Sequence, residues 1–348
     1  MQPPSGYRTS PTLIGLGVGA AVVGIGLALT YEAPPIRTTQ TGFRGTAMVD
    51  VQNPRRLAGL AERNRVPEAQ PAVQPAGQKA KELYENVPVL GELDVEQFNR
   101  LMAAITEWVS PEQGCGYCHA EGEPLSSDKS YAKVVARSML KMVGTINADW
   151  QAHVGATGVT CWTCHRGQPV PKGTWFTAPN PMQAGGAAQG PTGQNRPAAV
   201  PALASLPADP LTPLLGGAEA PIRVIPTRAL PTRENGASIQ ATEQTYSLMT
   251  YMSEALGVNC TYCHNSRSFF AWDQSRPQRT TAWHGIHMVR ALNTGYLLPL
   301  EGVFPANRLG PKGDVPKLAC TTCHQGAAKP LLGASMLADY PELKTVGR

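Results

Sequence analysis

The residues able to do chemistry in this chain fall into one pattern, used four times. Cys115-Gly116-Tyr117-Cys118-His119 recurs as Cys161-Trp162-Thr163-Cys164-His165, Cys260-Thr261-Tyr262-Cys263-His264 and Cys320-Thr321-Thr322-Cys323-His324. Cys-x-x-Cys-His is the attachment pattern of c-type haem. Two thiols at this spacing reach the two vinyl groups of one porphyrin and form thioethers, and the next residue lies beneath the iron as its proximal ligand. A redox Cys-x-x-Cys pair or a zinc ribbon uses the same cysteines but leaves the histidine after each pair unexplained. The four motifs consume all eight cysteines. The expectation is four covalently bound haem c groups on Cys115, Cys118, Cys161, Cys164, Cys260, Cys263, Cys320 and Cys323, with His119, His165, His264 and His324 on the irons and no disulfide.

Counting limits the sixth ligands. Of seven histidines, three lie outside the motifs: His153, His284 and His287. Four bis-histidine haems need eight, so at least one iron uses another ligand. The choice matters because a methionine ligand raises a haem potential relative to a second histidine. The first three motifs each follow an apolar helical stretch carrying methionine: Met102, then Met139 or Met142, then Met249 or Met252. Methionine is an ordinary core gap filler, but an iron needs its sixth position either closed or open for catalysis. For the fourth haem the three spare histidines compete.

These residues need helices to position them. Asp94 reads as an N-cap with Gln97 three residues on, followed by a stripe of Val95, Phe98, Met102, Ile105 and Val109. A second helix after Asp128 carries Val135, Met139, Met142 and Ile146. A third, from Thr242, carries Tyr246, Met249, Met252 or Ser253, and Leu256. A fourth, over 281–298, carries Trp283, His287, Met288 and Ala291.

The halves repeat. Motifs one and three end Tyr-Cys-His, whereas motifs two and four read Thr-Cys-His-x-Gly, through Gly167 and Gly326. Met142-Val143 with Ile146-Asn147 matches Met288-Val289 with Leu292-Asn293. The fold expected is mainly α with much irregular chain: a multihaem cytochrome of two duplicated haem-pair modules behind one N-terminal transmembrane helix. The predicted layout is a cytoplasmic terminus (1–11), a span (12–31), an extended periplasmic segment (32–90) and module one (91–178). A Pro/Gly-rich linker (179–232), module two (233–331) and a C-terminal tail (332–348) complete it.

Residues 12–31 are uncharged and long enough, at about 20 residues, to cross a bilayer. A cleaved signal peptide competes, but the apolar run is long for one and Leu29-Thr30-Tyr31 is a poor cleavage site. Arg8 precedes the segment, favouring a cytoplasmic N-terminus. Glycine and proline are abundant, at 35 and 32 residues, so much of the chain is irregular and haem supplies part of the apolar core. The polypeptide carries a formal charge of +5. Four haems add up to ~8 negative propionate charges, so the basic balance is no argument for nucleic acid. Haem is attached outside the bacterial cytoplasmic membrane, which sets the compartment.

Over about residues 80–330 the chain resembles the tetrahaem cytochrome subunit of purple-bacterial photosynthetic reaction centres. The resemblance implies Met102 with His119, Met139 with His165 and Met249 with His264. It implies a fourth, bis-histidine haem between His153 and His324. Arg279 matches an arginine the family places near the third haem. A membrane span stands where some members carry a lipid-modified cysteine, and the linker after Gln168 is expanded. The implied role is an electron relay, not an enzyme. Its partners would be the reaction-centre L and M subunits, the surrounding antenna, and a soluble periplasmic donor, either a small c-type cytochrome or a high-potential iron–sulfur protein. The expected place is the bacterial photosynthetic inner membrane, with the haem domain periplasmic. Glu112, Glu121 and Glu123, beside the first motif, form a candidate patch for a basic donor. The alternative is a membrane-anchored tetrahaem quinol dehydrogenase, which the shortage of histidines disfavours. A multihaem reductase would require one open iron.

Overall fold

The computed structural model describes residues 10–31, 37–40, 49–179, 206–217, 221–222, 238–344 and 346. Helix α1 (Pro11–Thr30) is fully exposed along its length and offers no packed face to the rest of the protein. At about 1.5 Å per residue it is about 30 Å long, the thickness of a bilayer core.

The described part of the segment 32–90 is more structured than its polarity suggested. Strands β1 (Arg37–Gln40) and β2 (Val49–Gln52) pair antiparallel. Helix α2 (Pro54–Arg63) follows at once, with Asn53 capping it from its side chain and Pro54 preset for a first turn. From there to the one-turn α3 (Ala80–Leu83) the chain is extended.

Four long helices carry the site: α4 (Val95–Val109), α5 (Tyr131–Asp149), then α9 (Ile239–Leu256) and α10 (Pro277–Leu292). Asp94 accepts from the backbone of Glu96, and from Ala76 and Gly77, so one carboxylate caps α4 and anchors the incoming chain. Ser238 caps α9 through Ala241. Between the pairs lie the short α6 (Gln151–Val154), α7 (Cys161–His165) and α8 (Leu211–Leu215), and α11 (Cys320–His324) closes the series.

Helix α4 is apolar on two sides. Leu101, Ala104 and Trp108 pack into protein, whereas the predicted stripe of Phe98, Met102, Ile105 and Val109 faces a cavity. The stripe on α5 faces the same cavity. On α9 and α10 the buried faces are rotated from those predicted. Ser247, Leu248, Tyr251, Met252 and Ala255 are buried on α9, and Gly285, Ile286, Met288, Val289 and Leu292 on α10. Tyr246 and Trp283 stay exposed. On α10 a small residue, Gly285, faces the His153 ring, with Ile286, Met288 and Val289 buried beside it.

Two further expectations need correction. Helix α8 lies inside the predicted linker, yet Leu211, Leu214 and Leu215 are core residues, capped by Asp209 through the Leu211 and Thr212 N–H groups. Much of the predicted linker (180–205, 218–220 and 223–232) falls outside the described residues. The C-terminal tail is not an appendage either. Tyr340, Leu343 and Val346 are buried, Tyr340 meets Trp108 edge-on at 4.7 Å, and the Arg100 guanidinium covers the Tyr340 ring while bonding the Gln70 and Asp339 carbonyls.

The matched sequence patterns make matched bonds. The Asn147 amide accepts from Val159 N–H at 2.7 Å and donates to the Val159 and Leu343 carbonyls. Asn293 accepts from Leu318 N–H at 2.7 Å and donates to the Leu318 and Leu215 carbonyls. The Thr163 hydroxyl caps α7 through Thr160 N–H, as Thr322 caps α11 through Ala319 N–H, both at 3.0 Å. After the second and fourth motifs two residues turn left-handed, Arg166-Gly167 and Gln325-Gly326. That turn aims Gly167 N–H at the Trp108 carbonyl of α4 and Gly326 N–H at the Ala255 carbonyl of α9.

Candidate haem centres

The cysteines sit on two kinds of local structure. In the second and fourth motifs they lie on the helices α7 and α11. In the first and third they lie on 3₁₀ turns, Gly114–Tyr117 and Cys260–Tyr262, where His119 and His264 each donate their backbone N–H back to the first cysteine's carbonyl. Both forms put the histidine one turn beyond the first thiol. Burial pushes the Cys161 and Cys320 thiols up to about 12. Thiolate-using redox and zinc sites need the opposite shift. Among the described residues no three His, Cys, Asp or Glu side chains converge as a metal cluster would.

Every motif histidine is oriented alike. The Nδ1–H of His119 donates to the Leu125 carbonyl at 3.1 Å, that of His165 to Gln168 at 2.8 Å, that of His264 to Phe269 at 2.7 Å and that of His324 to Ala327 at 2.9 Å. A carbonyl only accepts, so each ring carries its proton on Nδ1 and leaves the Nε2 lone pair for a metal. Such a partner is what orients a metal-bound imidazole. Burial lowers the basicity of His165 and His264 and brings His324 down to about 4.

His153 behaves as a fifth member of the set. Its Nδ1–H donates to Thr281 of α10 at 2.9 Å, and burial lowers its basicity too. Its ring faces His324 with centroids 6.1 Å apart and planes at 65°. A metal held between two imidazole nitrogens, each about 2 Å away, sets the centroids about 6 Å apart. Both rings line one pocket with Cys320, Cys323, Met252 and Met288. His284 and His287 share α10 but pack against Trp283, with ring centroids at 5.1 and 4.2 Å.

A second cavity, of about 920 Å³, has mostly apolar walls and is lined by the first two motifs together. Met102, Cys115, Cys118 and His119 line one part, and Met139, Cys161, Cys164 and His165 another. Its volume is at the upper end of the range for cofactor pockets, about 300–1,000 Å³. Met142, left open with Met139 by the sequence, lines both cavities and is the more buried of the two. Met249 is half-buried on α9, but neither it nor His264 lines either cavity. The residues present fit haem: paired thiols, an exposed imidazole lone pair beside them, and apolar walls.

The second and fourth motifs interlock. The Cys164 and Cys323 side chains are within hydrogen-bond reach. Arg166 donates to the Cys323 carbonyl at 3.1 Å, and Gln325 donates to the Cys164 carbonyl at 3.2 Å. At the third motif, Arg276 bridges Asp50 of β2 at 3.0 Å and covers the Tyr262 ring. Arg279 bonds the Ala271 carbonyl and Ser275 and lies over Trp272. Its charge adds to burial in lowering His264 basicity. Of the acidic trio, Glu112 and Glu121 are exposed, and Glu123 pairs with Lys129 at 2.5 Å.

The family profile described as photosynthetic reaction centre cytochrome C subunit matches residues 32–344. The chain is 51% identical over 324 residues to the photosynthetic reaction center cytochrome c subunit of Rubrivivax gelatinosus, covering 93% of this chain and 88% of that one. The chain belongs to this family. Proteins of the same name from Thermochromatium tepidum (49% identical, 92% of this chain and 78% of that one) and Roseobacter denitrificans (44%, 96% and 92%) are similarly close. As a reaction-centre cytochrome c subunit it is an electron carrier of photosynthesis, not an enzyme. It carries covalently bound haem c and associates with the reaction centre in the photosynthetic membrane. Sequence reasoning missed Gly285, which makes room for His153, and the reciprocal bonds of Arg166 and Gln325.

Proposed function

We propose that the chain holds four haem c groups, with Met102 and His119, Met139 and His165, Met249 and His264, and His153 and His324 as axial pairs. The observation that carries this reading is the opposition of His153 and His324 at 6.1 Å, each ring tied back through Nδ1. When bound, each haem supplies a one-electron couple tuned by its sixth ligand, methionine raising the potential and histidine lowering it. The protein's part is to close every sixth position, keep water from the apolar cavities and hold neighbouring sites close.

The matched bonds of Asn147 and Asn293, and of Thr163 and Thr322, support two duplicated haem-pair modules. The shared cavity supports the first and second sites as neighbours, and the Cys164–Cys323 approach supports the second and fourth. Helix α9 joins the fourth site, which Met252 lines, to Met249 of the third. The relay therefore runs first, second, fourth, third. The β1–β2 hairpin, paired through Asp50 to Arg276, which covers the Tyr262 ring of the third motif, is separated from the end of α1 by six residues. Six residues reach at most about 20 Å, so a retained α1 keeps the third site at the membrane. There, on the periplasmic side, it faces the L and M subunits and their chlorophyll pair, with the antenna around them. The first site is farthest out, where a soluble c-type cytochrome or iron–sulfur protein delivers electrons.

Mass spectrometry and a potentiometric titration of the purified full chain test this. Four added haems and four one-electron steps, one of them low, are expected. Four uniformly low steps would refute the methionine ligands and favour a quinol dehydrogenase.

A further inference from the structure

Lys133, the third residue of α5, is buried in the wall of the larger cavity at 9% exposure. Its Nζ donates to the Leu125 carbonyl at 2.7 Å and to the Ser127 carbonyl at 2.9 Å. The Leu125 carbonyl is also the acceptor for His119 Nδ1–H, at 3.1 Å. An ammonium and the imidazole N–H therefore converge on one oxygen. Asp128 only partly offsets the charge. It lies 3.4 Å from Nζ, is 45% exposed, and gives its other oxygen to Arg137 at 2.9 Å. Two cations thus face one carboxylate.

The electronic consequence has one sign. An imidazole that donates Nδ1–H to a strong acceptor becomes a more basic ligand through Nε2, which favours the oxidised metal. A carbonyl already polarised by an ammonium is a weaker acceptor, so His119 donates less charge. The ammonium itself adds positive potential a few ångströms behind the ring, in a site of low dielectric. Both effects make oxidation harder.

We propose that Lys133 raises the reduction potential of the haem held by His119, acting as a positioning and tuning residue through the shared Leu125 carbonyl. The proposal rests on the assignment of Met102 and His119 made above. One charge at this range, partly offset by Asp128, corresponds to about tenfold in the equilibrium constant for reduction, or about 59 mV for one electron. A purely structural lysine, one that only ties down the loop at 125–127, would shift stability without moving a single potential.

The test is a spectroelectrochemical titration of the full-length holoprotein. Met102→His first marks the step belonging to this site, by a large fall in that step alone. Lys133→Met then lowers the marked step about tenfold, while Lys133→Arg keeps it within twofold of the native value. Asp128→Asn, which removes the offsetting carboxylate, raises it. The proposal is overturned if Lys133→Met leaves the marked step within about twofold, if all four steps move together, or if Lys133→Arg falls as far as Lys133→Met. Should Lys133→Met fail to accumulate, Asp128→Asn decides: no rise in the marked step overturns the proposal. If Met102→His moves no step, the ligand assignment fails instead, and the proposal falls with it.

Discussion

Replacing Gly285 by alanine adds one methyl group where the His153 ring lies. Built on the native backbone, that Cβ comes 2.5 Å from Cε1, 2.7 Å from Nδ1 and 3.0 Å from Nε2 of His153. Carbon atoms pack at about 3.5–4.0 Å, so the ring must retreat by about 1 Å. Metal–imidazole bonds tolerate about 0.2 Å. His153 therefore cannot both clear the methyl group and stay opposite His324. Moving α10 away is the other escape, but Ile286, Val289 and Leu292 are buried on either side of the contact. In an open helix the same change would stabilise by about 0.8–1 kcal/mol, so any loss reports the clash. The expected result is that one ferric haem per chain becomes high-spin and one ferrous haem binds carbon monoxide. On the proposed assignment the lowest step of the titration rises, because the bis-histidine site proposed between His153 and His324 has lost a ligand. Electron paramagnetic resonance and carbon monoxide stoichiometry measure both. A variant with every haem low-spin and an unchanged titration would refute the placement of His153.

Asn147→Ala leaves a buried backbone N–H and two carbonyls without their partner, and Asn293→Ala leaves the Leu318 N–H and the Leu215 carbonyl, since Trp175 Nε1–H still serves the Leu318 carbonyl; each is expected to cost about 2–4 kcal/mol, read as a lower denaturant midpoint of the holoprotein. A cost below about 1 kcal/mol in either would show that these amides are not what pins the segments leading into the second and fourth motifs. Truncation after Ala338 removes buried Tyr340 and Leu343 and orphans one face of Trp108; a loss of at least about 3 kcal/mol is expected, and near-native stability would mean the tail is dispensable. Hydrogen bonding to Arg137 leads the causes that hold the Asp128 carboxyl down at about 2. A carboxylate lowered in the folded state contributes stability above its unfolded value near about 4 and loses it as the pH falls from there toward 2. Asp128→Asn should therefore flatten that part of the acid limb slightly, since the group is half exposed; an unchanged limb in an acid titration of stability would show the pair to be inert.

The motif histidines, the repeat and the two stripes lining the larger cavity were legible because each obeys a local rule: fixed spacing, a matched sequence pattern or helical periodicity. Asn147 and Asn293 stood out as a repeated position, and their matched bonds supply the reason. The rest depended on contacts that follow no helical or motif period. Lys133 bonding the carbonyl that holds His119, and Gly285 yielding to His153, have no signal in their neighbours along the chain. Signals for other elements were present but outweighed by composition. Asn53-Pro54 before Leu57 and Leu60 is a helix start, Asp209 before Leu211, Leu214 and Leu215 is another, and Tyr340, Leu343 and Val346 keep an apolar period of three. Each sits in proline-rich or terminal chain, where a helical turn is stabilised by the core it docks on, not by its own propensity.

The approach of Cys164 to Cys323 bears on how such a protein is made. On the proposed assignment each thiol must receive a porphyrin, yet the finished fold sets the two side by side behind reciprocal bonds from Arg166 and Gln325. In an oxidising compartment, neighbouring thiols on a collapsed apoprotein would join to each other and be lost to both cofactors. Maturation at these two positions must therefore precede the closing of one half on the other, which makes biogenesis a race between haem delivery and folding.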